Sequence, residues 1–226
     1  MSDTIVALPF GELIDSAAQL EALYRAPGQL VAAKKRPGID EGTRSFVAQS
    51  PFVLLGTVGH DGGVDVSPRG GPRGFVRVID DEYLAIPDLN GNNLIDSLRG
   101  VVASGSAGML LLVPGKDETV RVNGRAWVTT DASVLDRWAD ELRRPTTAIV
   151  VRADEVFVHC AKAFRRGKVW QPESWTEAAD VPEALDVLAA QGVIGPVDDA
   201  IRASMEDGYA EGLAYDRPEQ HDPSEQ

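Results

Sequence analysis

The 226-residue chain has one cysteine, three histidines and 6% aromatic residues, and its longest apolar stretches fall well short of a membrane span. A single thiol, Cys160, excludes an internal disulfide and suits a reducing compartment. His60, His159 and His221 show no metal-ligand spacing, so no metal site is expected. The most apolar run, VVASGSAGMLLLVPG at 101–115, is too short and too rich in glycine to span a bilayer, which needs about 18 residues. The opening MSDTIVALPFGELID lacks a basic region followed by an apolar core, so no targeting segment is read and a cytoplasmic location is expected. Walker loops, a Gly-x-Gly-x-x-Gly opening a helix and a Gly-x-Ser-x-Gly elbow are all missing.

Positive charge is also scarce. The net charge is −13, and residues 173–226 carry 14 carboxylates against only Arg202 and Arg217. With no basic stripe the chain is a poor match for nucleic acid, whose affinity rests on neutralised phosphates. The acidic end reads as a solvated helical face, with docking of a basic protein as the other reading. These limits leave a soluble globular protein of ordinary composition, long enough for one sizeable domain.

What is present changes period along the chain. Ser16-Ala17-Ala18-Gln19 has the form of a capping box before Leu20, Leu23 and Tyr24, and Pro27-Gly28 ends that helix. Asp40 is positioned to cap a second helix through Phe46 and Val47, stopped by Ser50-Pro51. Then come paired strand-like runs: 52–59 with 63–67 around His60-Asp61-Gly62, 74–80 with 81–88 around Asp80-Asp81, and 107–115 with 118–130 around Lys116-Asp117. Two further runs, 147–154 and 155–160, bring the count to about eight strands. A helix is expected from Asn92-Asn93 through Leu98, and another from Asp131 with Leu135, Trp138 and Leu142 on one stripe. Helical patterns return at Ala184, Leu185 and Leu188 and at Val197, Ile201, Met205 and Tyr209, and the last ten residues read as disordered. The order predicts an α+β fold on an antiparallel barrel with peripheral helices. The barrel domain is expected over 1–176, with an acidic helical extension over 177–226.

One stretch, VDVSPRGGPRGF at 64–75, breaks its own pattern. Val64 and Val66 alternate like a strand, and Pro68, with no N–H to donate, requires the strand to end, bulge or lie on an edge there; an end at Ser67 is the outcome expected if this stretch holds a phosphate. Ser67 and Arg69, two apart, share a face in extended chain, and Gly70-Gly71 leave the backbone bare. A hydroxyl and a guanidinium on one face suit a phosphate; a barrel corner with Arg69 paired to a carboxylate is the competing reading. IPDLNGNNLIDSL at 86–98 leads from a strand into a helix N-terminus, where unpaired amides favour anions, although capping by an asparagine explains it too. Cys160 is read as a small buried hydrophobe and His159 as a strand histidine, with a proton donor as its alternative role. The four tryptophans are assigned to core or interface.

Three segments in order, 50–98, 110–126 and 156–170, together resemble the pyridoxamine 5′-phosphate oxidase-like FMN-binding proteins. The resemblance is strongest to the bacterial FMN-dependent subfamily that shares a Ser-Pro-Arg-Gly segment, and it covers roughly residues 10–176. It implies a split β-barrel that binds FMN between two subunits of a homodimer, and a flavoprotein oxidising or reducing a small molecule or electron donor. By the same resemblance Val66, Ser67, Pro68 and Arg69 meet the phosphate and ribityl chain, Asn92 and Asn93 open the phosphate-facing helix, and Ile86 and Pro87 lie beside the ring. Thr119 falls near the pyrimidine edge, and Lys162 and Trp170 in the segment that closes the site. No catalytic residue is singled out. Leu94 departs from the pattern, standing where a basic residue is common; Arg99 and Lys162 are the candidates to replace that charge. Pyridoxamine phosphate oxidation itself needs a second phosphate site, for which only Lys162, Arg165, Arg166 and Lys168 offer cations. A protein that holds flavin, haem or a deazaflavin without turnover is the alternative function.

Overall fold

The computed structural model describes Gly11 and residues 13–218, and the described chain falls into two units that meet between Lys35 and Arg36. The first unit carries α1 (Ala17–Leu23) and the short α2 (Gln29–Ala33). Ser16 caps α1 by accepting from the Gln19 amide, while the Gln19 side chain accepts from Asp15, one residue outside the reciprocal box. Neither helix has a buried residue.

The second unit holds everything else, the acidic C-terminal helices included. It opens with α3 (Glu41–Gln49) and proceeds through β1 (Phe52–Val58), β2 (Val64–Gly70), β3 (Arg77–Val78), β4 (Tyr83–Pro87), α4 (Asp96–Ser104), β5 (Ser106–Leu112) and β6 (Thr119–Thr129). Next come α5 (Ala132–Leu135), a 3₁₀ turn at Asp136–Trp138, β7 (Ala148–Arg152), β8 (Glu155–His159), α6 (Lys162–Arg166), α7 (Ala184–Ala190) and α8 (Asp199–Tyr215). Among the described residues no helix is long and apolar enough to cross a membrane. The stretch expected to be disordered lies, from residue 219 on, outside the described residues.

Asp40 caps α3 as its sequence position implies, its carboxylate accepting from the Thr43 amide at 2.7 Å. That amide, and then the Thr43 hydroxyl, hold the Asp40 carboxyl below its ordinary range. A carboxyl lowered on folding stabilises above the unfolded aspartate range and loses that effect as pH falls through it, below about pH 4. Asp40→Ala should therefore cost about 1 kcal/mol at neutral pH, with the difference in denaturant midpoint shrinking at pH 3.

The eight strands form one antiparallel sheet, ordered β2-β1-β5-β6-β7-β4-β3, with β8 also on β6, and the sheet does not close. The fold is α+β and of split-barrel type. The split is made by β6. Residues 119–123 pair with β8 and residues 126–129 with β7, on the same edge of the strand. Gly124 stands between the two pairings, and a Cβ there would lie 1.7 Å from the Arg152 carbonyl oxygen. Strands β7 and β8 run the same way along β6, and residues 153–154 form a bulge opposite this glycine, where the register shifts by one residue. Asp154 pins the bulge, accepting from Arg152 Nε at 2.5 Å and from the Arg125 amide at 3.0 Å.

Alternation sorts the side chains. Val53 and Leu55 on β1, Met109 and Leu111 on β5, and Val120 and Val122 on β6 form the buried inner face, completed by Phe75, Val76, Leu84, Ile86 and Val101. The expected strand at 74–80 shrinks to two residues because Phe75 and Val76 enter this core from a loop. Strand β4 is buried on both sides: Leu84 and Ile86 join the main core, and Ala85 lies in a second cluster with Leu135, Trp138, Leu142 and Ala148. The stripe Ile201–Met205–Tyr209 on α8 is not buried; that helix has no buried residue.

Candidate functional site

The strand does not stop at Ser67: of the three outcomes open at Pro68, the edge position is the one found. Strand β2 runs through Pro68 and Arg69 to Gly70, in register with β1 over its whole length. Proline is tolerated because β2 is an edge strand, where one row of N–H groups has no ladder partner. Pairing of Ser67 with Leu55 and Arg69 with Val53 places Asp65, Ser67 and Arg69 on the inner face, each half-buried. Val64, Val66 and Pro68 face the other way and are exposed.

The inner-face side chains form a directed chain. Ser97, in the first turn of α4, donates to Asp65 at 2.7 Å. A carboxylate only accepts here, so the 2.8 Å contact between the serines has Ser67 donating to Ser97. Ser67 in turn accepts from Arg69 Nε at 3.2 Å, and Arg69 Nη1 pairs with Asp88 at 3.2 Å. Both readings of Arg69 are thus present, since it has its carboxylate and stands beside a helix start. With both serine protons engaged inside the network, the donors left for an anion are Arg69 Nη2 and the amides of Asp96, Ser97 and Leu98. No hydrogen bond involves these among the described residues, the Arg99 amide being the first of α4 to be engaged, on the Ile95 carbonyl.

The helix itself begins later than its sequence implies. Asn92 accepts from the Leu94 amide, closing a turn rather than capping α4, which starts at Asp96 with no side-chain cap. Asn93 and Ile95 both adopt left-handed backbone, with φ of 58° and 54°. Asparagine tolerates this; a β-branched isoleucine does not, and such strain costs of order 1–3 kcal/mol. Leu94 is therefore an exposed loop residue, not a position inside the helix. Arg99 points to Asp96 at 3.7 Å and lines a separate cleft beside the β1–β2 turn, so it does not supply the charge missing at Leu94.

The remaining expected site residues lie elsewhere. Ile86 and Pro87 are buried at the end of β4, one step from Asp88. Thr119 is buried and opens β6 opposite His159. Its neighbour Val120 shares the inner face with Leu111, Val53 and Arg69, so Thr119 faces the opposite side of the sheet from Arg69. Three strand spacings separate them, roughly 14 Å. Near Thr119, Trp170 donates its indole N–H to the Lys116 carbonyl at 2.7 Å and stacks on Phe164, while Arg165 pairs with Asp117. Lys162 begins α6 in the same segment. The expected set thus splits into an Arg69 group and a Thr119 group that one chain does not bring together.

Cys160 is exposed just beyond β8, not buried as its alternating strand suggests. His159 is half-buried, tilted against Phe157 with ring centroids 4.5 Å apart. The carboxyls held below their ordinary range belong to caps, turns and ion pairs: Asp40, Asp61 and Asp131 through backbone amides or neighbouring hydroxyls, Asp154 and Asp186 through Arg152 and Arg202. Asp65, Asp88 and Ser97 were the site residues missed by sequence reasoning. Asp65 alone had a signal, its two-residue spacing from Ser67.

The family model of the pyridoxamine 5′-phosphate oxidases matches residues 39–160. No curated protein matches the chain. Among solved structures, HupZ of Group A Streptococcus is 14% identical with a TM-score of 0.45, covering 53% of this chain and 93% of its own. A candidate pyridoxamine 5′-phosphate oxidase from Lactobacillus delbrueckii is 21% identical with a TM-score of 0.43, covering 55% and 98%. An FMN-binding protein from Syntrophomonas wolfei is 14% identical with a TM-score of 0.42, covering 52% and 83%.

Proposed function

The chain belongs to the pyridoxamine 5′-phosphate oxidase family, and on that footing we propose that it is a cytoplasmic, homodimeric FMN-binding flavoprotein that oxidises or reduces a small molecule. The observation that supports this most is the half-buried Arg69 beside the uncapped start of α4, both inside the matched segment. A guanidinium with a free edge next to a helix N-terminus is a donor set suited to a phosphate. Ser67 and Asp88 orient that guanidinium, and Asn93, in its left-handed turn, shapes the approach to the helix. Bound FMN would supply hydride and electron transfer at its ring, and the chain would supply binding, orientation and exclusion of water.

The division into two groups supports the homodimer. Thr119 faces away from Arg69 in its own chain and Trp170 packs near it on the Lys116 carbonyl, so a second copy is the natural source of the far wall. The exposed Val64 and Val66 on the outer side of β2 give that copy an apolar surface to cover. Residues 1–176 would then form the flavin-binding domain and 177–226 its extension.

Fluorescence titration tests the assignment. Arg69→Ala should weaken FMN binding about tenfold or more, the effect of one lost charged hydrogen bond, with the melting temperature nearly unchanged. Unaltered affinity would remove Arg69 from the site. The alternative is a protein that holds flavin, haem or a deazaflavin without turnover, which the engagement of both serine protons within the network favours. Bound FMN that stays oxidised in NADH and NADPH would select it.

A further inference from the structure

Of the stretch VDVSPRGGPRGF, the Arg69 network uses residues up to Arg69 and leaves GGPRGF without a role. The structure makes that second half a pinned loop. The Gly71 amide donates to the Pro51 carbonyl at 3.1 Å and the Gly74 amide to the Ser50 carbonyl at 3.1 Å, so both ends are held against the end of α3. Each position needs its glycine. A Cβ on Gly71 would lie 2.7 Å from the Phe75 side chain, and Gly74 has a φ of 73° with room for a Cβ only 3.1 Å from the Ala48 carbonyl oxygen. Between these two anchors the loop presents Arg73, exposed.

Arg73 borders a cleft of about 570 Å³, which Phe46 lines from α3 and Val113, Pro114 and Lys116 line from the turn between β5 and β6. Phe46, packed against the main core, and Val113, half-buried, give the cleft an apolar floor. The Lys116 backbone is fixed too. Its amide donates to the Val113 carbonyl at 2.9 Å, and its carbonyl accepts the Trp170 indole N–H at 2.7 Å. Asp117, next in the chain, is occupied by Arg165. Among the described residues no carboxylate lines the cleft, and neither the Arg73 guanidinium nor the Lys116 ammonium has a hydrogen-bond or ion-pair partner. Two cations are thus left unpaired in a chain whose carboxylates outnumber its cations 35 to 22.

We propose that this cleft binds a hydrophobic monocarboxylate, with the carboxylate held by Arg73 and Lys116 and the apolar body laid on Phe46 and Val113. A guanidinium offers a carboxylate two parallel donors, and burial of the apolar body adds to the affinity. The volume suits a small organic molecule. An inorganic anion would meet the cations and leave the apolar floor unused. The cleft shares no residue with the Arg69 network, and the proposal does not rest on the flavin reading.

Calorimetric titration with 1-naphthoate, neutral 1-naphthamide and acetate tests this. The wild-type protein should bind 1-naphthoate about tenfold or more tighter than the amide, which lacks the charge, and than acetate, which lacks the apolar body. Arg73→Gln and Lys116→Gln should each weaken 1-naphthoate about tenfold with the melting temperature nearly unchanged. Arg99→Gln, which removes a cation from the cleft beside the β1–β2 turn, should leave it unaltered. FMN affinity should stay within about twofold in Arg73→Gln. Binding of 1-naphthoate through Arg73 by a protein that takes up no FMN would uphold the cleft and overturn the flavin reading. A wild-type protein that ignores 1-naphthoate or binds the amide equally well overturns the proposal. So does an Arg73→Gln variant that keeps its 1-naphthoate affinity, or that loses FMN as severely as 1-naphthoate.

Discussion

Gly124→Ala is expected to abolish the fold. The added methyl would overlap the Arg152 carbonyl oxygen at 1.7 Å and crowd the Asp154 amide at 3.1 Å. Both contacts are backbone, so neither relaxes by a side-chain rotation. Relief requires the bulge between β7 and β8 to lift from β6, which breaks the pairings on one side of the glycine or the other. A destabilisation of about 4 kcal/mol or more follows, comparable with the whole stability of many domains. Circular dichroism should show a protein largely unfolded at 25 °C or recovered only as insoluble material. Gly195→Ala, at a position where a Cβ meets nothing within 4 Å, is the control and should melt within about two degrees of the parent. Equal melting of the two variants would mean that the strand switch on β6 is not built as described.

The second large effect belongs to Trp138. Its side chain is completely buried, at 0% exposure, within the smaller cluster beside Ala85, Leu135, Leu142 and Ala148. Its indole N–H donates to the Phe75 carbonyl at 2.7 Å and so links that cluster to the loop that carries Phe75 into the main core. Trp138→Ala should cost about 3–5 kcal/mol, through the cavity and the carbonyl left without its donor. Trp138→Phe retains most of the volume and should lose about 1–3 kcal/mol. Denaturant midpoints at unchanged slope measure both, and Trp175→Ala, at 59% exposure, should shift the midpoint little. A phenylalanine variant as stable as the parent would show that the indole hydrogen bond contributes nothing.

Much of this architecture was legible in the sequence. Apolar runs bounded by turn residues located eight strands and the three hairpin turns, and Asp40 and Asp131 cap the helices they precede. The errors share a cause: local rules were overridden by position in the sheet. Pro68 left an end, a bulge or an edge position open, and the stop at Ser67 fails because an edge location removes the need for its N–H. Asn92 and Asn93 read as a helix start because the left-handed turns at Asn93 and Ile95 have no sequence mark, least of all in isoleucine. Buried on both faces, β4 shows no alternation, whereas Cys160 follows an alternating strand yet lies past its end.

The site was less legible than the fold. Ser67 and Arg69 do share a face, as their spacing requires, but which face depends on register with β1, and that also decides that Thr119 lies on the other. The cleft at Arg73 and Lys116 depends on the β2–β3 loop and the β5–β6 turn meeting beside α3. No local pattern announces such a contact.

The flavin assignment is tested most directly by the visible absorbance spectrum of the purified protein, with chromatography of what heat releases from it. The structure and family membership lead us to expect oxidised-flavin bands and release of FMN in near-equimolar amount. A colourless protein that also fails to take up added FMN would contradict the account.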